Sequence, residues 1–265
     1  MIRPARYSGT WYPAEKKELS KYYNAAEKRQ KALAAVCPHA GWVYSGKTAG
    51  KVFSQMQSAS LYIMIGPNHR ATGAPVSVYP EGQWKTPLGS LDVDNRLAAL
   101  TAQYSKYAKL DASPHIEEHS LEVLTPFVKM ANPVARILPV CMYDYDPAVC
   151  LDLARSLSRA LKETGESRDA VIIASTDMSH YVTADNARQA DGLAIDRILK
   201  LDPEGLLETV ETNGITMCGS GPAAVAIWAA AELGAQNARL VAYTNSGDVT
   251  GDNREVVGYA GLIIT

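Results

Sequence analysis

The sequence predicts an α/β fold: a single domain over residues 1–265, with a mostly parallel sheet flanked by helices. Three observations predict it. Short apolar runs rich in β-branched residues alternate with helical patterns along the chain. The run Ala170–Ala174 is apolar at every position, as a strand buried on both faces requires. Hydrophobic residues make up 47% and charged residues 20%, which gives a folded core with a solvated surface and excludes a disordered chain.

In chain order, the apolar runs Leu33–Val36, Leu61–Ile65, Val76–Tyr79, Arg136–Met142, Ala170–Ala174, Arg239–Tyr243 and Val256–Ile264 read as strands. Between them, helices are predicted over Ala14–Lys31, Gly46–Gln57, Asp94–Lys106, His119–Ala131 and Pro147–Thr164, then over Ala184–Lys200, Pro203–Asn213 and Gly219–Leu233. Asp202-Pro203 is an N-cap followed by proline at the first helical position. Gly219-Ser220-Gly221-Pro222 opens the last helix and Gly234 stops it. The Gly/Pro-rich break Gly66–Pro87 contains Val76–Tyr79 and reads as an excursion to an edge strand. No linker, repeat or low-complexity tract divides the chain.

Twenty-six Lys and Arg against 28 Asp and Glu give a net charge of −2, which forces no basic face for nucleic acid or an anionic membrane. No apolar run approaches the ~20 residues of a bilayer span. The opening Met1-Ile2-Arg3-Pro4-Ala5-Arg6-Tyr7 lacks the apolar core of a signal peptide. Cys37, Cys141, Cys150 and Cys218 are scattered without a CxxC pair, as in reduced thiols of a cytoplasmic protein.

The chemistry lies in five histidines. His39 follows the strand 33–36, His69 follows 61–65, and His180 follows 170–174 with Asp177 beside it. Ligands of open α/β sheets bind outside the carboxyl ends of strands, so the three imidazoles converge if those strands are neighbours. Each one alone also reads as an ordinary loop or capping residue. His115 and His119 have i, i+4 spacing at a predicted helix start, which puts them on one helix face. Cys218 precedes a predicted helix N-terminus, where the dipole and free N–H groups favour a thiolate. A small buried apolar role reads equally well for it. Cys37, Cys141 and Cys150 belong to the core.

Other signals are weaker. Asp248, in Ser246-Gly247-Asp248, follows the strand 239–243 and either reaches the same edge or simply builds a turn. Trp11, Tyr12, Trp42, Tyr44 and Tyr181 cluster around the histidine loops, as a substrate pocket or as core. There is no G-x-S-x-G elbow, no G-x-G-x-x-G fingerprint and no P-loop.

The chain resembles the Memo family, whose prokaryotic members are called AmmeMemoRadiSam system protein B. The resemblance rests on ordered blocks along nearly the whole chain: Tyr12-Pro13-Ala14, Pro38-His39-Ala40-Gly41-Trp42, Gly66-Pro67-Asn68-His69, Thr86-Pro87-Leu88-Gly89, Glu118-His119-Ser120-Leu121-Glu122, Ser175-Thr176-Asp177-Met178-Ser179-His180-Tyr181, Cys218-Gly219, Asn245-Ser246-Gly247-Asp248 and Val257-Gly258-Tyr259. It implies a fold similar to the class III extradiol ring-cleavage dioxygenases, which hold Fe(II) with two His and a carboxylate and use a further His as acid/base. By that resemblance His39 and His69 fall at the metal histidines, Cys218 at the carboxylate position, and His180 at the acid/base, with Asp177 beside it. A thiolate is softer and more easily oxidised than a carboxylate, so ring cleavage does not follow from the fold. The resemblance also implies AMMECR-type and radical SAM partner proteins, and its eukaryotic member is described both as a phosphotyrosine-peptide binder and as a redox-active iron or copper protein.

Two functions are expected. The first is a dioxygenase-like, metal-dependent oxidoreductase: Fe(II), with copper or zinc as alternatives, on His39, His69 and Cys218. His180 moves a proton, Asp177 orients His180 or a water, and His119, Asp248, Arg70 and Trp11 contact substrate. The second is a non-enzymatic binding or scaffold protein that uses the cleft for an anionic peptide, with Arg70 and Arg6 as contacts. A cysteine hydrolase with Cys218 as nucleophile and His180 as base is a third reading.

Overall fold

The computed structural model describes residues 1–265. In chain order its elements are β1 (Ile2–Arg3), α1 (Lys16–Leu19), β2 (Ala34–Cys37), α2 (Trp42–Gln55), β3 (Leu61–Pro67), β4 (Val76–Val78), β5 (Gln83–Thr86), β6 (Gly89–Val93), α3 (Asn95–Tyr104), β7 (Ala108–Leu110), α4 (Thr125–Ala131), β8 (Arg136–Met142), α5 (Pro147–Thr164), β9 (Ala170–Ser175), β10 (His180–Val182), α6 (Ala184–Leu199), α7 (Pro203–Thr212), α8 (Ser220–Glu232), β11 (Ala238–Asn245), α9 (Gly247–Thr250) and β12 (Val256–Ile264). The α/β class read from the alternation is the class observed.

All the strands join one mixed sheet. Its heart is four parallel strands in the order β8-β3-β9-β2, followed by β12, which runs antiparallel to β2. The strands after which His69, His180 and His39 follow are therefore consecutive neighbours, β3-β9-β2, but His180 lies beyond the β9 loop as the first residue of β10, paired with β12. Along each strand, alternate residues face opposite layers. Val36, Ile63, Ile65, Leu138 and Ile172 pack with α5, α7 and α8 in one cluster of 41 buried residues. Ala35, Tyr62, Met64, Ile137 and Ile173 pack with α2 and α4 in another of 28. Helix α8 is buried along most of its length between α5, α7 and the sheet, which explains its lack of a polar face. No helix is long and apolar enough to cross a membrane.

Three expectations are corrected. The helix expected over Ala14–Lys31 is only α1 plus a 3₁₀ turn, Ser20–Tyr22. Tyr22 is drawn against Trp42 (5.1 Å between rings), and the chain beyond it runs past the end of α2. There Ala26 and Gln30 donate their N–H groups to the terminal carbonyls of Ser54 and Gln55, which have no partner within the helix. The helix expected over His119–Ala131 begins only with a 3₁₀ turn at Glu122. Val76–Tyr79 does not form an edge strand: β4 lies between β8 and β7. Five short strands, β1, β5, β6, β7 and β10, carried no recognisable run of their own.

Candidate metal centre

The carboxyl ends of β2, β3 and β9 deliver their loops to one edge of the sheet, as strand order requires. The side-chain donor atoms of His39, His69 and Cys218 lie within 4.8 Å of one another there. His39 Nε2 is 3.3 Å from Cys218 Sγ. The His39 and His69 rings are 5.4 Å apart, nearly perpendicular.

Hydrogen bonding fixes which ring nitrogens are free. Ser175, at the end of β9, has one hydroxyl hydrogen and donates it to Ser120 O at 2.6 Å. Its oxygen, 2.8 Å from His39 Nδ1, must therefore accept the Nδ1 hydrogen, which leaves the Nε2 lone pair of His39 facing Cys218. His69 Nδ1 donates to Glu118 Oε1 at 2.9 Å, and its Nε2 is likewise left as an acceptor. Glu118 also accepts the backbone N–H groups of His69 and Ser120 at 2.8 and 2.9 Å. Burial alone would raise the Glu118 pKa, but these bonds and the neighbouring imidazoles outweigh it and hold the carboxyl down at about 2. Burial, reinforced by His69, lowers the His39 pKa to about 3, so its imidazole is neutral at physiological pH.

Cys218 departs from the expectation of a favoured thiolate. Burial, with the charge of Asp177, pushes the thiol well above its ordinary value, although Asp177 N donates to Sγ at 3.2 Å. Without a cation beside it the thiol keeps its proton. The approach of its segment to β9 depends on Gly219. A Cβ there would lie 2.5 Å from Ser175 O and 2.6 Å from Thr176 Cβ.

The other expected site residues are divided by the structure. His119 lies against the cluster: its ring stacks on His69 at 4.7 Å and rests 4.1 Å from Trp11. Burial lowers the His119 pKa to about 3. His115 does not share its face. It is fully buried, donates from Nε2 to Ser77 O at 3.0 Å, and receives Cys141 Sγ at Nδ1. No helix spans the pair, so i, i+4 spacing places one histidine in the core and the other at the cleft. Asp177 Oδ1 accepts the backbone N–H of His39 at 2.8 Å, and no hydrogen bond joins Asp177 to His180. His180 is half-buried and is held by Thr216, whose carbonyl accepts from Nδ1 at 2.9 Å. The hydrolase pair expected of Cys218 and His180 is thus not formed; the imidazole at Cys218 is that of His39. Asp248 turns back onto Asn245 N at 3.0 Å and completes its own turn. Arg70 and Arg6 both pair with Glu117, at 3.2 and 2.7 Å. Glu118 and Ser175 fall within the ordered blocks beside the site histidines, but their bonding parts, like that of Thr216, carry no spacing signal because their partners are distant in sequence.

Beside the cluster, Trp11, Tyr12, Tyr22, Trp42, Val43 and Tyr44 line a cavity of about 440 Å³ that contains no charged side chain. Tyr12 and Trp42 are also core residues, as the core expectation for the aromatic set requires. Tyr181 stands apart, exposed, with a left-handed φ of 57°.

The sequence profile of the Memo-like protein family matches residues 3–263. A MEMO1 family protein of Methanosarcina acetivorans is 40% identical over 269 residues, 99% of each chain. One from Aquifex aeolicus is 40% identical over 268 residues, covering 99% of this chain and 98% of its own. One from Thermotoga petrophila is 35% identical over 283 residues and the full length of both. With the ordered blocks, these end-to-end matches make the chain a member of the Memo-like protein family.

Proposed function

We propose that this protein binds one redox-active transition metal, Fe(II) foremost and copper as the alternative, and carries out oxygen-dependent oxidation of a small substrate. The observation that carries this reading is the donor set: two imidazole Nε2 atoms and one thiol sulfur, with the far nitrogen of each ring tied down. Donors 2.1–2.3 Å from a shared ion stand roughly 3.0–3.6 Å apart at octahedral to tetrahedral angles. The 3.3 Å between His39 Nε2 and Cys218 Sγ fits that range. Two histidines and one anionic ligand leave coordination positions open, and a metal so held supplies electrons and a place for oxygen and substrate. Zinc suits the same donors and would give Lewis-acid chemistry instead. The second close set, His69, Glu118 and His119, is a poorer fit, because the Glu118 oxygens already accept three hydrogen bonds.

The chain's own groups divide the remaining work. His180, with Nδ1 held by Thr216 O, is free at Nε2 to take and return a proton. His119 and Trp11 form a wall that positions substrate, and the uncharged aromatic cavity beside them suits an apolar group. The anionic-peptide reading has less support, since both arginines that would serve it already share Glu117 as a partner.

Anaerobic Fe(II) titration with elemental analysis, on the parent and on Cys218→Ala, tests the proposal. One-to-one uptake that the variant loses is the expected result, followed by oxygen consumption with catechols or thiols. Failure of the parent to take up metal, or full uptake by His39→Ala and His69→Ala, would overturn it.

A further inference from the structure

A second cavity, of about 450 Å³, lies on the outer face of the α3 and α5 layer, and its lining shares no residue with the metal centre. Helix α5 supplies Arg155 and Arg159, one turn apart on the same exposed stripe. The end of α3 and the chain after it supply Tyr104, Lys106 and Tyr107. The Arg159 guanidinium rests on the Tyr104 ring, 3.8 Å from its centroid, which orients the fork before any ligand arrives. Of the three cations, only Arg155 has a carboxylate partner, Glu232 at 3.7 Å. The neighbouring acids are engaged elsewhere: Asp152 accepts Ser105 Oγ at 2.5 Å and Lys106 N at 3.1 Å, and Glu163 accepts the Tyr104 hydroxyl. Three cations against the single acid Asp152 thus line one concavity of a protein whose net charge is −2.

We propose that this cavity is a binding site for a phosphorylated small molecule. Guanidinium groups match the oxygens of a phosphoryl group with paired N–H donors, and a lysine adds a mobile point charge. The tyrosine rings offer an apolar surface to the rest of the ligand. The volume is that of a small-molecule pocket.

Calorimetry on the full-length chain, with pyrophosphate and with ATP at low and physiological salt, tests the site. Saturable one-to-one binding of at least one probe is expected, weakening as salt rises. Arg155→Gln/Arg159→Gln should lower affinity at least tenfold. Arg159→Lys, which keeps the charge and loses the fork, should fall between that variant and the parent. His39→Ala should bind like the parent, which separates this site from the metal proposal. ATP binding tighter than pyrophosphate assigns the tyrosines to the organic part of a nucleotide-like ligand. Equal affinity assigns the site to free phosphate anions. No saturable binding of either probe, or binding unchanged in the double glutamine variant, would overturn the proposal.

Discussion

Glu118 holds more of the site together than any other single side chain. It fixes the His69 ring through Nδ1, holds the His69 backbone, and lies 3.3 Å from His119 Nδ1. Partners of this kind are worth about 10–100-fold in metal affinity. Glu118→Gln should weaken Fe(II) binding by that order while one-to-one stoichiometry persists; unchanged affinity would remove Glu118 from the site. His115 gives a prediction of another kind. Its folded-state pKa is lowered to about 3 by burial, against 6.5 for a free histidine. As pH falls below 6.5 the unfolded chain takes up a proton that the folded chain refuses, so stability decreases. Between pH 7 and pH 5 this one group should cost about 2 kcal/mol. Gln at position 115 keeps a donor for Ser77 O and has nothing to titrate, so His115→Gln should flatten that part of the urea-stability profile. An equally steep loss in the variant would assign the acid sensitivity elsewhere. At this scale the histidines following β2 and β3 were legible, because the ends of neighbouring parallel strands mark a shared edge, whereas His180, expected to join them, opens β10 and bonds to Thr216. Glu118 was not legible, because its role arises only when the loop 115–122 folds back over His69.

Among the elements, the N-terminal strand is fastened to that same loop. Arg3, on β1, is buried and donates to His115 O at 2.6 Å, to Glu118 O at 2.8 Å and to Glu122 at 2.5 Å. Its guanidinium also lies over Trp84 of β5, 4.2 Å from the ring centroid. Glu122 in turn accepts Tyr7 N and the Tyr12 hydroxyl. One buried ion pair therefore ties β1, the segment bearing Trp11, and the loop bearing Glu118 and His119. Removing one partner leaves the other charge buried, at about 3–5 kcal/mol. Arg3→Met should lose stability of that order in urea unfolding and weaken metal binding as the loop loosens. A loss below 1 kcal/mol would show that Glu122 is satisfied by the two tyrosines alone. The bounds of β8, α5 and β12 agree with the sequence reading because their patterns are long and end in clear signals, such as Asp146 capping Ala148 N. The two-residue β1 has no pattern at all, and the expected first helix fails because partners distant in sequence claim its backbone.

Across the whole molecule, neither the order of the strands nor the antiparallel insertion of β12 beside β2 was legible, since both depend on pairings between remote segments. That order decides how the site relates to folding. The two hydrophobic clusters, of 41 and 28 residues, form a core of apolar side chains, and His39 is buried beside it with its Nδ1 already bonded to Ser175, so no metal is needed to complete those contacts. The rings are held by Ser175 and Glu118 before a metal arrives. Metal binding should therefore add to the stability of a chain that is already folded, unlike small domains whose folding is their metal binding. A ligand at one hundred times its dissociation constant stabilises by about 2.7 kcal/mol. For a chain of this size that corresponds to roughly 5–10 °C in Tm. Chelated protein should keep the far-UV circular dichroism of the loaded form and melt lower by that amount. Loss of the spectrum on chelation would make the metal part of the folding core. An unchanged Tm under anaerobic excess Fe(II) would mean that the site, although assembled, has no affinity for iron.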